Sequence, residues 1–228
     1  GRSLHLDSMV ADYEAERQKG DEAERIWASQ HLNIEIGLAL HNERWRGADY
    51  WEKGAKTCLT LDELIERSEV ATIGIDGGGL DDLLGVCVIG RCKETKHWLF
   101  WFHAFVQDDV LELRKEIAEK LRDFERDGDL TICKGGTEDI MGVADIVDQV
   151  FEAGLLPEKH AVGFDPQGVA AMVDELANRE IEGDMVAGIA QGFRLSGAVW
   201  GMERKLKDGT MKHDGSAMMN WCVSNAKP

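Results

Sequence analysis

The order of the apolar segments between residues 70 and 179 constrains the fold more than any other feature of this chain. Three strand-like segments come first, at 70–76, 83–92 and 97–106. Helical and strand-like segments then alternate: helices at 108–128, 137–154 and 166–179, with strands at 129–134 and 160–165 between them. The short loop between the second and third strands favours a hairpin, and α-β crossovers add strands in parallel. We therefore predict an α/β fold with a five-stranded mixed sheet, made of an antiparallel three-strand meander plus two parallel strands, with helices on both faces.

The first 60 residues differ from the rest of the chain. Residues 4–30 have a polar helical pattern with few repeated apolar positions, which is typical of a linker helix or an arm. Residues 31–55 are rich in tryptophan and charge, and we interpret them as a segment that wraps around the core. We expect a helical arm over residues 1–60 that leads toward a missing domain, and a globular domain over residues 61–228. The absence of an initial methionine favours a fragment of a longer protein.

Composition limits the possible functions. The chain has 228 residues, 26 basic and 43 acidic, and a formal net charge of −17, which argues against a simple electrostatic DNA-binding surface. Its five cysteines are scattered without a zinc-binding spacing, so we interpret them as reduced core residues of a cytosolic protein. The sequence contains no signal peptide and no apolar run of membrane-spanning length.

Two of the predicted strands end in aspartate. "VATIGID" ends at Asp76 and "HAVGFD" ends at Asp165. If these strands are neighbours, the two carboxylates face each other, and a divalent cation removes the repulsion between them. Two such ions, Mg²⁺ or Mn²⁺, would clamp the attacking and leaving oxygens in phosphodiester hydrolysis. The alternative interpretation is structural, because aspartate after a strand also forms turns and helix N-caps.

Other residues are candidates to complete such a site. Asp214 precedes a helical pattern and is a candidate third metal ligand with His213 beside it, or alternatively a helix N-cap beside a loop residue. Asp82 could support a metal-bound water from outside the ligand set, or could simply start the second strand. The glycines of "DGGG", residues 77–79, leave room beside Asp76 for ions and a nucleic-acid backbone, or form a flexible turn.

Four segments together resemble a known family. "HLNIEIGLALHNERW", "IGIDGGGLDDLLGVCVIG", "VGFDPQGVAAMVDEL" and "MKHDGSAMMNWCVSNA" are similar, in order and spacing, to the C-terminal half of tailed-bacteriophage terminase large subunits. These proteins join an ATPase motor to a nuclease of ribonuclease-H-like fold. The resemblance implies that Asp76, Asp165 and Asp214 are the catalytic metal ligands and that Asp82 is an accessory acid. The P-loop of the ATPase is missing here, so the chain is not predicted to hydrolyse ATP.

The resemblance implies a metal-dependent DNA endonuclease, a hydrolase that cuts concatemeric phage or prophage DNA during genome packaging in the bacterial host cytoplasm. Its implied partners are double-stranded DNA, the ATPase domain of the same protein, the small terminase subunit and the portal of the procapsid. Apart from the resemblance, five basic residues near the C-terminus are candidate DNA contacts, or alternatively belong to a solvated helix face: Arg194, Arg204, Lys205, Lys207 and Lys212.

Two other functions remain open at this point. One is a non-enzymatic acidic docking module whose aspartates are turns and caps. The other is a sugar-kinase-like or actin-like lobe, in which "GIDGGG" would contact ATP phosphates. Metal binding distinguishes the nuclease from the docking module, and ATP binding distinguishes it from the kinase-like lobe.

Overall fold

The computed structural model describes residues 6–19, 27, 45–56, 59–77, 82–165 and 170–226. The chain divides into two compact units, one formed by residues 1–49 with 222–228 and the other by residues 50–221. The second unit contains the whole sheet. Within the described ranges, no helix is both long and apolar enough to cross a membrane.

The strands and helices have the following bounds. The strands are β1 (Ser68–Gly77), β2 (Leu84–Cys92), β3 (Trp98–Gln107), β4 (Leu130–Cys133), β5 (Val162–Phe164), β6 (Val186–Gly188) and β7 (Met211–His213). The helices are α1 (Leu6–Gln18), α2 (Ala48–Gly54), α3 (Leu61–Arg67), α4 (Asp109–Leu113), α5 (Ala118–Asp127), α6 (Glu138–Glu152), α7 (Ala170–Ala177), α8 (Ser196–Lys207) and α9 (Ala217–Asn225). Short 3₁₀ turns cover Gly183–Met185 and Gly192–Leu195.

The seven strands of the described residues form one mixed sheet with the order β4-β3-β2-β1-β5-β6, and β7 also pairs with β3. The predicted meander is confirmed, since β1 pairs antiparallel with β2 and β2 antiparallel with β3. The two added strands are parallel, as predicted, and lie on opposite sides of the meander: β5 beside β1 and β4 beside β3. The predicted count of five was too low, since the three-residue strands β6 and β7 were not predicted.

One face of the sheet forms the hydrophobic core. Ile73 and Ile75 on β1 are buried there together with their antiparallel partners Val88 and Val86. Helix α6 covers this face with an apolar stripe that includes Val143 and Val147, both fully buried. Because side chains alternate along a strand, the residues between them, including Gly74 and Asp76, belong to the other face. The core therefore fixes the face on which Asp76 lies.

The predicted helices differ from the observed ones mainly at 108–128. Two helices stand there instead of one, because the backbone leaves helical geometry at Arg114, where φ is −115° and ψ is 56°. Residues 114–116 are all exposed and charged, so no buried face holds the chain in a continuous helix at this point. Gly128 ends α5 in the left-handed conformation, as its position predicted.

The N-terminal predictions are described only in part. The helical pattern of residues 4–30 corresponds to α1 (Leu6–Gln18). Most of the segment 31–55 lies outside the described residues, and α2 forms at its end. Of the predicted helix 166–179, residues 166–169 also lie outside the described part.

Candidate active site

Asp76 lies near the end of β1, and Asp165 directly follows β5, the strand that pairs with β1 in parallel. The register between β1 and β5 pairs Ile73 with Val162 and Ile75 with Phe164, and the residue that follows each member of the last pair is an aspartate. Neighbouring strands lie about 4.8 Å apart, so the two backbones meet at the carboxyl end of the sheet. Asp76 is exposed and Asp165 is half-buried. The condition stated from the sequence, that the first and fifth predicted strands are neighbours, is met in this sheet.

The backbone geometry of the turn requires a glycine directly after Asp76. Gly77 has a φ of +84°, and a Cβ at this position would lie 2.1 Å from the carbonyl oxygen of Leu83. A larger residue therefore cannot make the close approach between the two ends of this loop. Gly78, Gly79 and Asp81 lie outside the described residues. Asp82 is exposed, and its Oδ1 accepts a hydrogen bond from the backbone N–H of Leu83 at 2.8 Å.

Asp214 lies at the other side of the meander. It follows β7, which pairs with β3, so strands β2 and β3 separate β7 from β1. Both of its carboxylate oxygens accept backbone hydrogen bonds: Oδ2 from Phe102 and Oδ1 from Ser216, each at 3.0 Å. On the outer edge of β3, β7 pairs with residues 98–100 and β4 with residues 104–107. The carboxylate therefore satisfies a main-chain donor in the gap between these two short strands.

Burial makes the charged form of Asp214 costly. Desolvation raises its pKa, backbone hydrogen bonds from Ser216 and Phe102 oppose the shift, and the negative charge of Asp129 adds to it. Burial likewise raises the pKa of the Cys87 thiol, with a further contribution from Asp214. Asp214 is thus electrostatically coupled to Asp129, which directly precedes β4.

Asp129 is a carboxylate that the sequence did not reveal as part of this region. Its Oδ2 accepts a hydrogen bond from the backbone N–H of Met218 at 3.0 Å, in the first turn of α9. Burial raises its pKa, opposed by the hydrogen bond from Met218 and supported by the nearby Asp127. Nothing in the local sequence connects residue 129 with residues 214–218, because the contact depends on the pairing of β3 with both β4 and β7.

His213 is fully buried and fixed by both of its ring nitrogens. Nε2 lies 2.8 Å from the carbonyl oxygen of Trp51, and Nδ1 lies 3.1 Å from the backbone nitrogen of Gly215. The geometry assigns the ring proton to Nε2, since Nδ1 accepts the N–H of Gly215. Burial lowers the pKa of His213, the hydrogen bond to Trp51 opposes this shift, and the charge of Lys212 adds to it. The main chain therefore holds the His213 ring in place beside Asp214.

No group of three or more His, Cys, Asp or Glu side chains within the described residues is placed to hold a metal ion. The adjacent pair Asp76 and Asp165 is a smaller set, and residues 78–81 beside it are outside the described part. Two neighbouring carboxylates still offer the oxygen ligands that Mg²⁺ and Mn²⁺ prefer.

Comparison with known proteins identifies the family. The model of the family described as "Terminase large subunit, endonuclease domain" matches residues 2–228. The chain belongs to this family of terminase endonuclease domains. The resemblance seen in the four sequence segments is thereby confirmed.

A solved structure supports the same assignment at the level of the fold. The terminase endonuclease domain superposes on the crystal structure of the large terminase of bacteriophage HK97 with a TM-score of 0.60 and 16% sequence identity. The match covers 99% of this chain and 44% of the HK97 chain, so the domain spans less than half the length of that protein. A sequence comparison with curated proteins gives no match. The predicted ribonuclease-H-like α/β fold class is confirmed.

The five basic residues predicted to contact DNA fall into two groups in the terminase domain. Arg194, Arg204 and Lys207 are exposed. Lys205 and Lys212 make internal contacts: the Lys205 ammonium lies 5.4 Å from the centre of the Trp98 ring, and that of Lys212 lies 3.4 Å from the carbonyl oxygen of Lys53. The exposed group therefore has its charges available to a partner, whereas the other two are partly engaged within the domain.

Proposed function

We propose that this domain is a metal-dependent DNA endonuclease that cuts concatemeric phage DNA during genome packaging, in the cytoplasm of the bacterial host. The proposal rests on membership of the terminase endonuclease family together with one geometric observation. That observation is the β1–β5 register, which makes Asp76 and Asp165 adjacent at the carboxyl end of the sheet. Crevices at the carboxyl ends of strands are common sites of chemistry in α/β folds.

Asp76 and Asp165 would hold the divalent cation, Mg²⁺ or Mn²⁺, and the proposed site contains two such ions. When bound, the ions supply charge neutralisation and an activated water for phosphodiester hydrolysis. Asp76 extends from a strand whose core-facing neighbours are fully packed, so its backbone position is fixed before any ligand binds. Asp82, in the loop at the same end of the sheet, is the proposed accessory acid.

Asp214 is the proposed third ligand, with His213 as its accessory residue. In the described geometry both Asp214 oxygens accept main-chain hydrogen bonds, which suits a structural role as well. The substitution Asp214→Asn separates the two roles. Weaker Mn²⁺ binding with unchanged stability supports ligation, whereas unchanged Mn²⁺ binding with lower stability supports a purely structural role.

The proposed partners are double-stranded DNA, the ATPase domain of a full-length protein, the small terminase subunit and the procapsid portal. The boundary between a linker arm over residues 1–60 and a nuclease domain over residues 61–228 is likewise proposed. The net charge of −17 implies weak DNA binding by the isolated chain, since phosphate contacts dominate such affinity. The bound ions and the remainder of the packaging motor would offset this repulsion.

The proposed function is tested by cleavage of supercoiled plasmid in Mn²⁺, Mg²⁺ or EDTA. The native chain is compared with Asp76→Asn and Asp165→Asn, and with Asp123→Asn as a control on the outer side of α5. We expect metal-dependent nicking by the native chain and the control, and loss of nicking in the two site variants. Calorimetry with Mn²⁺ on the same four samples completes the test. Absence of Mn²⁺ binding in every sample would exclude the nuclease and favour the docking module.

A further inference from the structure

Two large aromatic side chains of the second unit are turned to solvent. Phe193 is 85% exposed and Trp200 is 63% exposed, whereas Trp51 is only 1% exposed. Single exposed apolar residues are ordinary on protein surfaces, but exposed aromatic rings close together often mark a binding surface.

These two rings lie on the same side of a continuous helical segment. The 3₁₀ turn Gly192–Leu195 leads directly into α8, since Leu195 and Ser196 both have right-handed helical backbone angles. With about 120° per residue in the 3₁₀ turn and about 100° in the helix, residues seven apart return to one face. Arg204 and Lys207 continue that face toward the C-terminal end of α8, and both are exposed. We call these four residues, Phe193, Trp200, Arg204 and Lys207, the α8 stripe.

The stripe lies in a basic part of an acidic chain. The whole chain has 26 basic and 43 acidic residues, whereas residues 189–212 contain five basic and only two acidic residues. From Ile189 to Met202 the chain has one charged residue, Arg194, and that side chain is exposed. An anionic polymer is therefore attracted to this surface and repelled by much of the rest of the molecule.

The segment that carries the stripe starts beside the candidate active site. The backbone N–H of Ile189 donates to the carbonyl oxygen of Phe164 at 2.7 Å, and Phe164 immediately precedes Asp165. A Cβ on Gly163 would lie 2.9 Å from the Ile189 side chain, so Ile189 packs on the sheet face that also carries Asp76. A strand of nucleic acid at the pair of aspartates is thus near the start of the stripe.

We infer that the α8 stripe binds single-stranded DNA, with bases stacked on Phe193 and Trp200 and phosphates contacting Arg204 and Lys207. Aromatic rings beside cations are the usual platform for unpaired bases, because every base offers a π-face. In duplex DNA those faces are already stacked on each other, so two rings with neighbouring cations match unpaired bases better. The rings are about 11 Å apart along the helix axis, or about three base steps. This inference rests on the proposed function, which supplies DNA as the polymer that the domain binds.

The test is fluorescence polarisation with a short fluorescein-labelled thymidine oligonucleotide, alongside a duplex of the same length, in EDTA so that no cleavage occurs. Phe193→Ala and Trp200→Ala should each raise the Kd for the oligonucleotide by about tenfold. Arg204→Gln with Lys207→Gln should weaken binding and reduce its salt dependence, because two phosphate contacts are lost. Leu113→Ala is the matched control, since Leu113 is 64% exposed on α4 and carries no part of the stripe.

The inference is overturned by unchanged oligonucleotide affinity in the aromatic variants, by an equal loss in Leu113→Ala, or by a loss of duplex affinity in the aromatic variants as large as their loss of oligonucleotide affinity. Failure of native binding altogether would also overturn it and would favour a protein partner for the stripe. Plasmid nicking is measured in parallel to separate the two proposals. Oligonucleotide binding without metal-dependent nicking would contradict the proposed function alone, and nicking without stripe-dependent binding would contradict this inference alone.

Discussion

The imidazole of His213 stacks on the indole of Trp51, with ring centroids 3.8 Å apart and planes inclined by 18°. The same imidazole meets the carbonyl oxygen of Trp51, and the indole Nε1 of Trp51 donates to Oδ1 of Asn220 at 2.8 Å. Helix α2 is thereby joined to the loop that carries Asp214 and to the first turns of α9. The position of Asp214 thus depends on residues that are distant from it in the sequence.

Removing this imidazole should destabilise the domain. His213→Ala loses two hydrogen bonds and leaves a cavity beside Trp51, so we expect a loss of about 2–4 kcal/mol in the free energy of unfolding. Urea denaturation measures it, and His97→Ala, at a half-buried position, should cost less than about 1 kcal/mol. Equal effects of the two substitutions would show that the His213 contacts contribute little to stability.

The turn after Asp76 is predicted to require its first glycine. Gly77→Ala places a Cβ against the carbonyl oxygen of Leu83 and forces a side chain into a positive φ. We expect a loss of stability of about 1–3 kcal/mol and reduced metal-dependent nicking, because the Asp76 strand end is displaced. Gly128→Ala is the matched control, since Gly128 also has a positive φ but its Cβ would meet nothing within 4 Å. An equal fall in nicking in both variants would contradict the prediction that the turn at Gly77 positions Asp76.

The sequence predicts the parts of the site that depend on long regular strands. β1, β2 and β3 have nine or ten residues each, so their alternation is readable and Asp76 is seen at a strand end. The contacts around His213 are different, because Trp51 and His213 are 162 residues apart and meet through the three-residue strand β7. Gly54 shows the same limit: a Cβ there would lie 2.9 Å from Cδ2 of His213, and no local pattern indicates this approach.

The stability of the domain should depend on the protonation of His103. Burial lowers the pKa of His103, partly opposed by a backbone hydrogen bond with Gly128. The unfolded state therefore binds more protons between the folded pKa and the unfolded value of about 6.5. The stability that comes from burying neutral His103 is fully present above the unfolded pKa. It is lost as the pH falls from that value through the folded pKa.

His103→Gln tests this dependence, because glutamine retains a polar side chain near Thr131 without titrating. The free energy of unfolding should fall less between about pH 8 and about pH 5.5 in the variant than in the native chain. Urea denaturation at several pH values gives the comparison. An identical pH profile in both proteins would mean that His103 takes up its proton equally well in the folded and unfolded states.

Two helical glycines should respond to alanine with opposite signs. In α6, a Cβ on Gly142 would lie 2.3 Å from the ring of Phe105 on β3, and this ring is buried. Gly142→Ala should therefore destabilise the domain by about 1–3 kcal/mol, although alanine favours the helix itself. In α8, a Cβ on Gly201 would have no neighbour within 4 Å, so Gly201→Ala should stabilise by about 0.5–1 kcal/mol.

Thermal and urea unfolding of these two variants and the native chain give the comparison. The pair separates packing from helix propensity, since propensity favours alanine at both positions and the contact with Phe105 exists at only one of them. Stabilisation by both substitutions would contradict the close packing of α6 on β3. Destabilisation by both substitutions would show instead that α8 packs against a part of the chain at Gly201. Chemical labelling of Trp200 would then measure directly whether the α8 stripe is exposed.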